Sequence, residues 1–217
     1  AEDWEPARPS RPAHPPRPQI SIDTSKASVA HAALAAGASL VNDVSALRAD
    51  PEMAAVVADA EADCCLMHML GEPRTMQQDP HYGDVVDEVK SFLLGRMELA
   101  VREGIGEQRL LLDPGIGFGK TVDHNLQLLQ RLDELVALGR PIVIGSSRKS
   151  FLAKVAGSAP DSNRLAGTIA TNVLALERGA SVFRVHDVAP LREALVLAAA
   201  TLAGRWTGSA KTTTART

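Results

Sequence analysis

The stretch from Pro141 to Ser150 reads Pro-Ile-Val-Ile-Gly-Ser-Ser-Arg-Lys-Ser, an apolar run followed at once by polar and cationic residues. A continuous apolar run of this kind is typical of a parallel strand that is buried on both faces. The adjacent cations Arg148 and Lys149 suit an anion or the polar edge of a ring. A solvated helix start is the alternative, but cations are disfavoured near helix N-termini. The stretch therefore predicts a buried strand with a cationic site at its carboxyl end.

The same pattern recurs on both sides of this stretch. The predicted strands are Ile20–Asp23, Leu40–Val44, Cys64–Met69, Leu110–Asp113, Pro141–Ser146 and Val182–His186. Helical patterns lie between them, and glycines such as Gly104 and Gly179 follow helical stretches, where a left-handed residue closes a helix. Strand-then-helix units in series predict a parallel α/β sheet, either an open doubly wound sheet or a barrel.

The composition excludes several classes of function. The chain has 217 residues, 45% of them hydrophobic, and a net charge of −3, which suits one domain without an electrostatic footprint for nucleic acid or an anionic membrane. Aromatic residues make up 3%, which argues against a surface that stacks bases. No apolar run approaches the length of a membrane span. Cys64 and Cys65 are adjacent and fit neither a zinc site nor a disulfide framework, so we expect buried, reduced thiols in a cytoplasmic protein.

Three segments of different character divide the chain. Residues 1–19 are rich in proline and arginine and show no apolar periodicity, so we expect them to be disordered. Residues 20–204 carry the alternating strands and helices and form the one predicted domain. Residues 205–217 are rich in threonine and are predicted to be a flexible tail.

Polar side chains end several of the predicted strands. Asp23, Asn42 and Asp113 each follow or close an apolar run. Barrels and doubly wound sheets both place their chemistry at the carboxyl ends of strands. Carboxylates accept paired hydrogen bonds from an amino-substituted heterocycle, and an asparagine both donates and accepts. Each residue alone could be a structural cap, but together they favour a heterocycle pocket.

A glycine-rich segment, Pro114–Thr121, invites comparison with a phosphate-binding loop. It lacks glycine at the position of Pro114, where that motif requires it. The glycines more plausibly allow the backbone to lie close to a flat ligand, with Phe118 lining the pocket. A flexible loop whose phenylalanine is tucked into the core is the alternative.

The last predicted strand carries Arg184 and His186. The two residues are two apart, so their side chains share one face. A buried, unpaired arginine is costly, and an anionic ligand would satisfy Arg184. Phosphate sites recur after the seventh and eighth strands of (β/α)₈ barrels, which suits this position. His68 could reach the site from its own strand end or pack inside the barrel.

Taken in order, these motifs resemble those of the dihydropteroate synthases, pterin-binding enzymes of folate biosynthesis. The resemblance runs from about Ile20 to Leu202. The segments that carry it are Ile22–Lys26, Val41–Val44, Leu66–Met69, Leu112–Lys120, Ser147–Ser150 and Arg184–Asp187.

The resemblance implies a (β/α)₈ TIM barrel of the pterin-binding type, an α/β fold. Its implied activity is condensation of 6-hydroxymethyl-7,8-dihydropterin diphosphate with para-aminobenzoate, assisted by Mg²⁺, in a cytoplasmic homodimer. The implied partners are these small molecules. The implied pterin contacts are Asp23, Asn42, Met67, Asp113 and Lys149.

The resemblance also assigns the rest of the site. Arg184 and His186 would grip the diphosphate, and with Lys149 they are the implied catalytic residues. Phe118 and Ser150 would border the aminobenzoate. No metal ligand is assigned, because the asparagine that the family uses near the metal belongs to a strand that has no counterpart here.

The first two strand–helix units of such a barrel have no counterpart in this chain. Six strands cannot close an eight-stranded barrel without rearrangement. We therefore expect a fragment of a longer protein rather than a degenerate relative, because the remaining motifs are intact. Two other functions stay open: a pterin-binding paralogue without synthase activity, and a corrinoid-linked pterin methyltransferase. The cationic residues that would hold a diphosphate argue against the methyltransferase.

Overall fold

Strands and helices alternate through residues 18–71, 75–159 and 162–206, which are the residues that this computed structural model describes. The strands are Ser21–Asp23 (β1), Leu40–Asp43 (β2), Asp63–Met67 (β3), Leu110–Asp113 (β4), Val143–Ile144 (β5) and Val182–Phe183 (β6). The α-helices are Ala27–Ala35 (α1), Met53–Asp59 (α2), Val85–Arg102 (α3), Val122–Gln130 (α4), Leu132–Val136 (α5), Ser150–Ala156 (α6), Leu165–Glu177 (α7) and Val188–Leu202 (α8).

Each strand falls inside or next to its predicted range. The last two are shorter than predicted, although the backbone N–H of Arg184 still donates to the carbonyl of Ile144 at 2.9 Å. Helix α2 begins at Met53, and just before it the Asp50 carboxylate accepts from the N–H of Glu52 at 3.1 Å and from the N–H of Ala27 in α1 at 2.8 Å. The predicted disordered segment 1–19 and tail 205–217 lie almost entirely outside the described residues.

All strand pairs are parallel and neighbouring strands are consecutive in sequence. β1 to β4 form one sheet, β5 and β6 form a second, and a parallel bridge between Leu112 and Ile142 links the two. A doubly wound sheet would reverse its strand order at a switch point. Consecutive order is that of a barrel wall. A cavity of about 350 Å³ is lined by residues of both β1 and β6, so the wall curves round an interior.

The two faces of the wall differ in chemistry. Val41, Leu66 and Leu112 belong to the apolar core that also contains the buried faces of the helices. Because side chains alternate along a strand, their neighbours Asn42 and Asp113 face the interior instead. The outward face therefore anchors the helices, and the inward face is free to carry polar groups.

The two adjacent cysteines lie in β3. Both thiols are buried and unpaired, which confirms the sequence prediction. Burial raises the pKa of Cys64 to about 12, with smaller contributions from the charges of Asp43 and Asp63. The thiol is therefore protonated at physiological pH and acts as a small apolar side chain.

None of the helices that the structure describes is long and apolar enough to cross a membrane.

An arginine ties three helices together on the outside of the wall. Arg131 lies between α4 and α5 and contacts Asp84 at 2.7 Å and Glu134 at 2.6 Å. Asp84 in turn accepts from the first backbone N–H groups of α3. Hydrogen bonds from Arg131 hold the pKa of Asp84 and of Glu134 below their usual ranges.

We expect Arg131→Met to lower the free energy of unfolding at neutral pH. The two carboxylates have depressed pKa values when folded, so their contribution is present above the unfolded values near about 4 and is lost as the pH falls through the folded ones. Urea unfolding should therefore separate variant from wild type at neutral pH and bring them together in acid, once the pH is below the folded pKa values of Asp84 and Glu134. Arg102→Met, at the exposed end of α3, is the control. A difference that persists in acid would contradict this role.

Candidate active site

The strand register places Asp23 of β1 beside Asn42 of β2 at the carboxyl edge of the sheet. The Asn42 side-chain amide donates to Oδ2 of Asp23 at 3.0 Å. Asn42 is only 4% exposed, and its Oδ1 has no hydrogen-bond partner among the described residues. An unsatisfied buried acceptor costs about 1–3 kcal/mol, which a ligand N–H would recover.

A second pair joins the ends of β4 and β6. Nη2 of Arg184 lies 2.9 Å from Oδ2 of Asp113, at the end of β4. The arginine is therefore half-buried and paired, not buried without a partner as the sequence suggested. Asp113 is fully buried, which raises its pKa, while Arg184 and the backbone N–H of Gly115 favour the charged form. Two partners, Arg184 and the Gly115 N–H, thus stabilise the Asp113 carboxylate against the cost of its burial.

Gly145 leaves room for this arginine. A Cβ atom built there would lie 3.2 Å from Nη2 of Arg184. A side chain at position 145 would require the guanidinium to shift, so glycine at this position leaves Arg184 the room that it occupies.

Lys149 and Phe118 meet at the neighbouring strand end. Nζ of Lys149 lies 4.0 Å from the centre of the Phe118 ring, within the range of a cation–π contact. Both residues are half-buried, so the alternative of a phenylalanine tucked into the core is wrong. Desolvation lowers the pKa of Lys149, and the charge of Asp113 opposes this shift. Lys149 and the exposed Ser150 line a cavity of about 330 Å³ beside this contact.

His186 is positioned by a serine. Oγ of Ser147 lies 2.9 Å from Nδ1 of His186 and accepts from the His186 backbone N–H at 3.2 Å. The neighbouring Arg148 forms a bidentate pair with Asp187 at 2.7 and 3.0 Å. Of the two adjacent cations, Arg148 is therefore paired with Asp187, whereas Lys149 faces the site.

Met67 and His68 follow one another at the end of β3. Met67 is fully buried and is the register partner of Asp113. His68 is also buried, with Nδ1 lying 2.9 Å from Nζ of Lys120. The structure thus favours the second sequence alternative for His68, packing inside the wall.

The predicted residues converge on one end of the wall. Asp23, Asn42 and Arg184 line the interior cavity, and Lys149 and Ser150 line the cavity of about 330 Å³. Another cavity, of about 480 Å³, lies at the opposite end, where Ser39 and Asp63 flank the strand starts; it contains none of the predicted site residues.

Sequence reasoning missed three supporting residues: Ser147, Gly145 and Lys120. Ser147 was noticed only as part of a motif. Lys120 closes the glycine-rich segment, and its burial depends on contacts with β3 that the sequence does not show.

Known proteins are similar to this chain in sequence. Residues 13–186 match the family described as pterin binding enzyme. The dihydropteroate synthase of Synechocystis sp. is 46% identical over 169 residues, which is 78% of this chain and 58% of that protein. The Escherichia coli K12 enzyme is 40% identical over 186 residues, 86% of this chain and 65% of that protein. The chain thus spans about three fifths of these curated relatives.

Solved structures agree on the fold. Dihydropteroate synthase from Xanthomonas albilineans, in complex with 7,8-dihydropteroate, superimposes with a TM-score of 0.78 at 45% identity, over 85% of this chain and 67% of that one. The Yersinia pestis enzyme, in a sulfonamide complex, gives 0.82 at 40% identity, over 86% and 68%. The (β/α)₈ barrel type predicted from the sequence is confirmed. The chain belongs to the pterin binding enzyme family.

Proposed function

We propose that this chain acts as a dihydropteroate synthase, condensing 6-hydroxymethyl-7,8-dihydropterin diphosphate with para-aminobenzoate to give 7,8-dihydropteroate and pyrophosphate. The observation that carries the proposal is the buried Oδ1 of Asn42, a residue that lines the interior cavity with Asp23; this oxygen has no hydrogen-bond partner among the described residues. A pterin would supply the N–H donor that this acceptor lacks, and its other ring donors would replace the present partners of Asp23 and Asp113.

The pterin would be held at the interior end of β1, β2 and β4. Asp113 would accept from the ring donors, with Asn42 and Asp23 completing the edge. Because Asp113 is buried, a hydrogen bond to its charged form is strong, and an incorrect heterocycle would leave it unsatisfied. Met67 would line the pocket beside it.

The diphosphate would lie towards β5 and β6. Arg184 contacts the Asp113 carboxylate at 2.9 Å. When the pterin binds to this carboxylate, it would displace Arg184, and the guanidinium would then be free to bind phosphate oxygens. His186, held by Ser147, and Lys149 add further donors. These groups stabilise the negative charge that grows on the leaving pyrophosphate.

The chemical step is a substitution at the pterin methylene carbon. The bond from this carbon to the diphosphate oxygen breaks, the amine nitrogen of para-aminobenzoate bonds to the carbon, and that nitrogen then loses a proton. Phe118 and Ser150 would border the aminobenzoate and hold its amine in line with the methylene. Orientation of this kind supplies a large part of the catalytic effect.

Mg²⁺ remains part of the proposal. The described residues contain no group of three His, Cys, Asp or Glu side chains arranged to hold a metal ion. Mg²⁺ commonly binds through one or two carboxylates plus substrate phosphates, so the ion would arrive with the diphosphate. When bound there, it would neutralise charge on the leaving group.

The homodimer also remains part of the proposal. Leu174 of α7 is 47% exposed, and Val196 and Leu197 of α8 are 56% and 69% exposed. Apolar side chains gathered on a pair of packed helices favour a protein contact over a solvated face.

We expect Lys149→Met to reduce pyrophosphate release about 100-fold or more, because it removes a cation next to the developing charge. The assay contains the purified chain, dihydropterin diphosphate, Mg²⁺ and para-aminobenzoate. Lys90→Met makes the same chemical change on α3 and should leave the rate unchanged. Full activity in Lys149→Met would remove this residue from the mechanism.

Asp113→Asn should weaken binding of 7,8-dihydropterin about tenfold or more, because a charged hydrogen-bond acceptor is replaced by a neutral amide. Titration calorimetry measures this without any turnover, with Asp133→Asn on the exposed side of α5 as control. Tight pterin binding by a wild type that releases no pyrophosphate would instead favour the paralogue without synthase activity.

Leu197→Glu should convert a dimer into a monomer, because it places a charge in the apolar face of α8. Sedimentation equilibrium gives the mass directly. The control is Val29→Glu, which places the same charge at an apolar residue of α1 that is 42% exposed and lies outside the proposed dimer contact. It should leave the mass unchanged. A monomeric wild type would contradict the dimer.

A further inference from the structure

Lys120 is a buried lysine without a carboxylate in its hydrogen bonds. It is 3% exposed, and Nζ contacts Nδ1 of His68 at 2.9 Å and the carbonyl oxygen of Phe118 at 3.0 Å. Burying an ammonium among neutral partners is expensive, so the position needs a compensating role. The two contacts indicate this role. One joins Lys120 to His68 at the end of β3, and the other joins it to Phe118, whose ring contacts Lys149.

The protonation states fit this arrangement. Burial, followed by the charge of Lys120, lowers the pKa of His68 to about 3, so its ring is neutral and Nδ1 accepts. Burial lowers the pKa of Lys120 to about 7, against the opposing effect of the Asp113 charge. Lys120 remains a hydrogen-bond donor in either state.

The glycine-rich segment lies directly on the end of β3. Gly115 and Gly119 have φ values of +69° and +63°. A Cβ atom at Gly115 would overlap the carbonyl oxygen of His68, and one at Gly119 would overlap that of Leu70. The backbone can approach this closely only with glycine, and the approach brings the Phe118 carbonyl over the Lys120 ammonium.

Other hydrogen bonds hold the residues on either side of Phe118, whereas the Phe118 carbonyl itself accepts from Lys120. The N–H of Gly117 donates to Oδ1 of Asn125 at 2.7 Å, and Tyr82 donates to the carbonyl of Gly119 at 2.8 Å. The Phe118 N–H closes a turn onto Gly115 at 3.0 Å. The Phe118 carbonyl is held by Lys120, and its ring lies against Lys149 at 4.0 Å.

We propose that Lys120 is a positioning residue, which fixes Phe118 against Lys149 and thereby shapes the aminobenzoate side of the site. The identity of that ligand rests on the proposed function; the positioning of Phe118 does not. Lys120 acts through Phe118 and need not touch a substrate.

The test compares Lys120→Met, Phe118→Leu, the double variant and wild type, with Lys90→Met as control. Methionine is close to lysine in length, and an apolar replacement for a buried charge is often neutral for folding. The first measurement is hydrogen exchange without ligand. We expect the amides of Gly117 and Phe118 to exchange about tenfold faster in Lys120→Met, in proportion to one lost charged hydrogen bond. Unchanged exchange at both amides would overturn the proposal.

The second measurement is the pair of Michaelis constants. Lys120→Met should raise the constant for para-aminobenzoate about tenfold and change that for dihydropterin diphosphate less than about twofold. In the Phe118→Leu background the same change should have no further effect, because the residue that it positions is already gone. An equal rise in both backgrounds would show that Lys120 acts elsewhere. If no substrate is turned over, the proposed function fails and the exchange result alone decides the role of Lys120.

Discussion

The ion pair between Arg184 and Asp113 connects the first four strands of the wall with the last two. Its two residues are 71 positions apart and lie at the ends of β6 and β4, on either side of β5, so the pair exists only when these strands have assembled side by side. Asp113 is fully buried, and without the arginine its charge would be costly. The same two side chains are those that the proposed reaction needs apart, one on the pterin and one on the diphosphate. The unliganded protein thus keeps its site charges satisfied by pairing them with each other.

Around this pair, three site residues are positioned by neighbours that do no chemistry themselves. Ser147 orients His186, Gly145 makes space for Arg184, and the glycine-rich segment carries Phe118 to Lys149. The division of labour follows from geometry. Strand ends supply fixed anchor points, and short βα connections place one polar side chain from each on the same side of the wall.

Much of this was predictable from sequence because the strands are short apolar runs that end in polar residues. The positions of Asp23, Asn42 and Asp113 follow from that pattern alone. The partner of Arg184 could not be predicted in this way, because Asp113 lies at the end of another strand and only the assembled wall brings the two residues together. Arg148 and Lys149 looked equivalent as adjacent cations, yet Asp187 occupies one of them. Lys120 was overlooked because its role depends on how closely glycines approach β3, a distance that no local pattern encodes.

The seam between β4 and β5 has a further meaning. The two sheets meet there through the Leu112–Ile142 bridge, a thinner backbone connection than the ladders on either side. Carboxylates lie on one side of this seam, at Asp23 and Asp113, and the cations Lys149 and Arg184 lie on the other. The ion pair between Asp113 and Arg184 therefore spans the seam. A fluctuation that widens the seam would separate these opposite charges. Their attraction therefore opposes opening at the place where a single backbone bridge joins the two sheets.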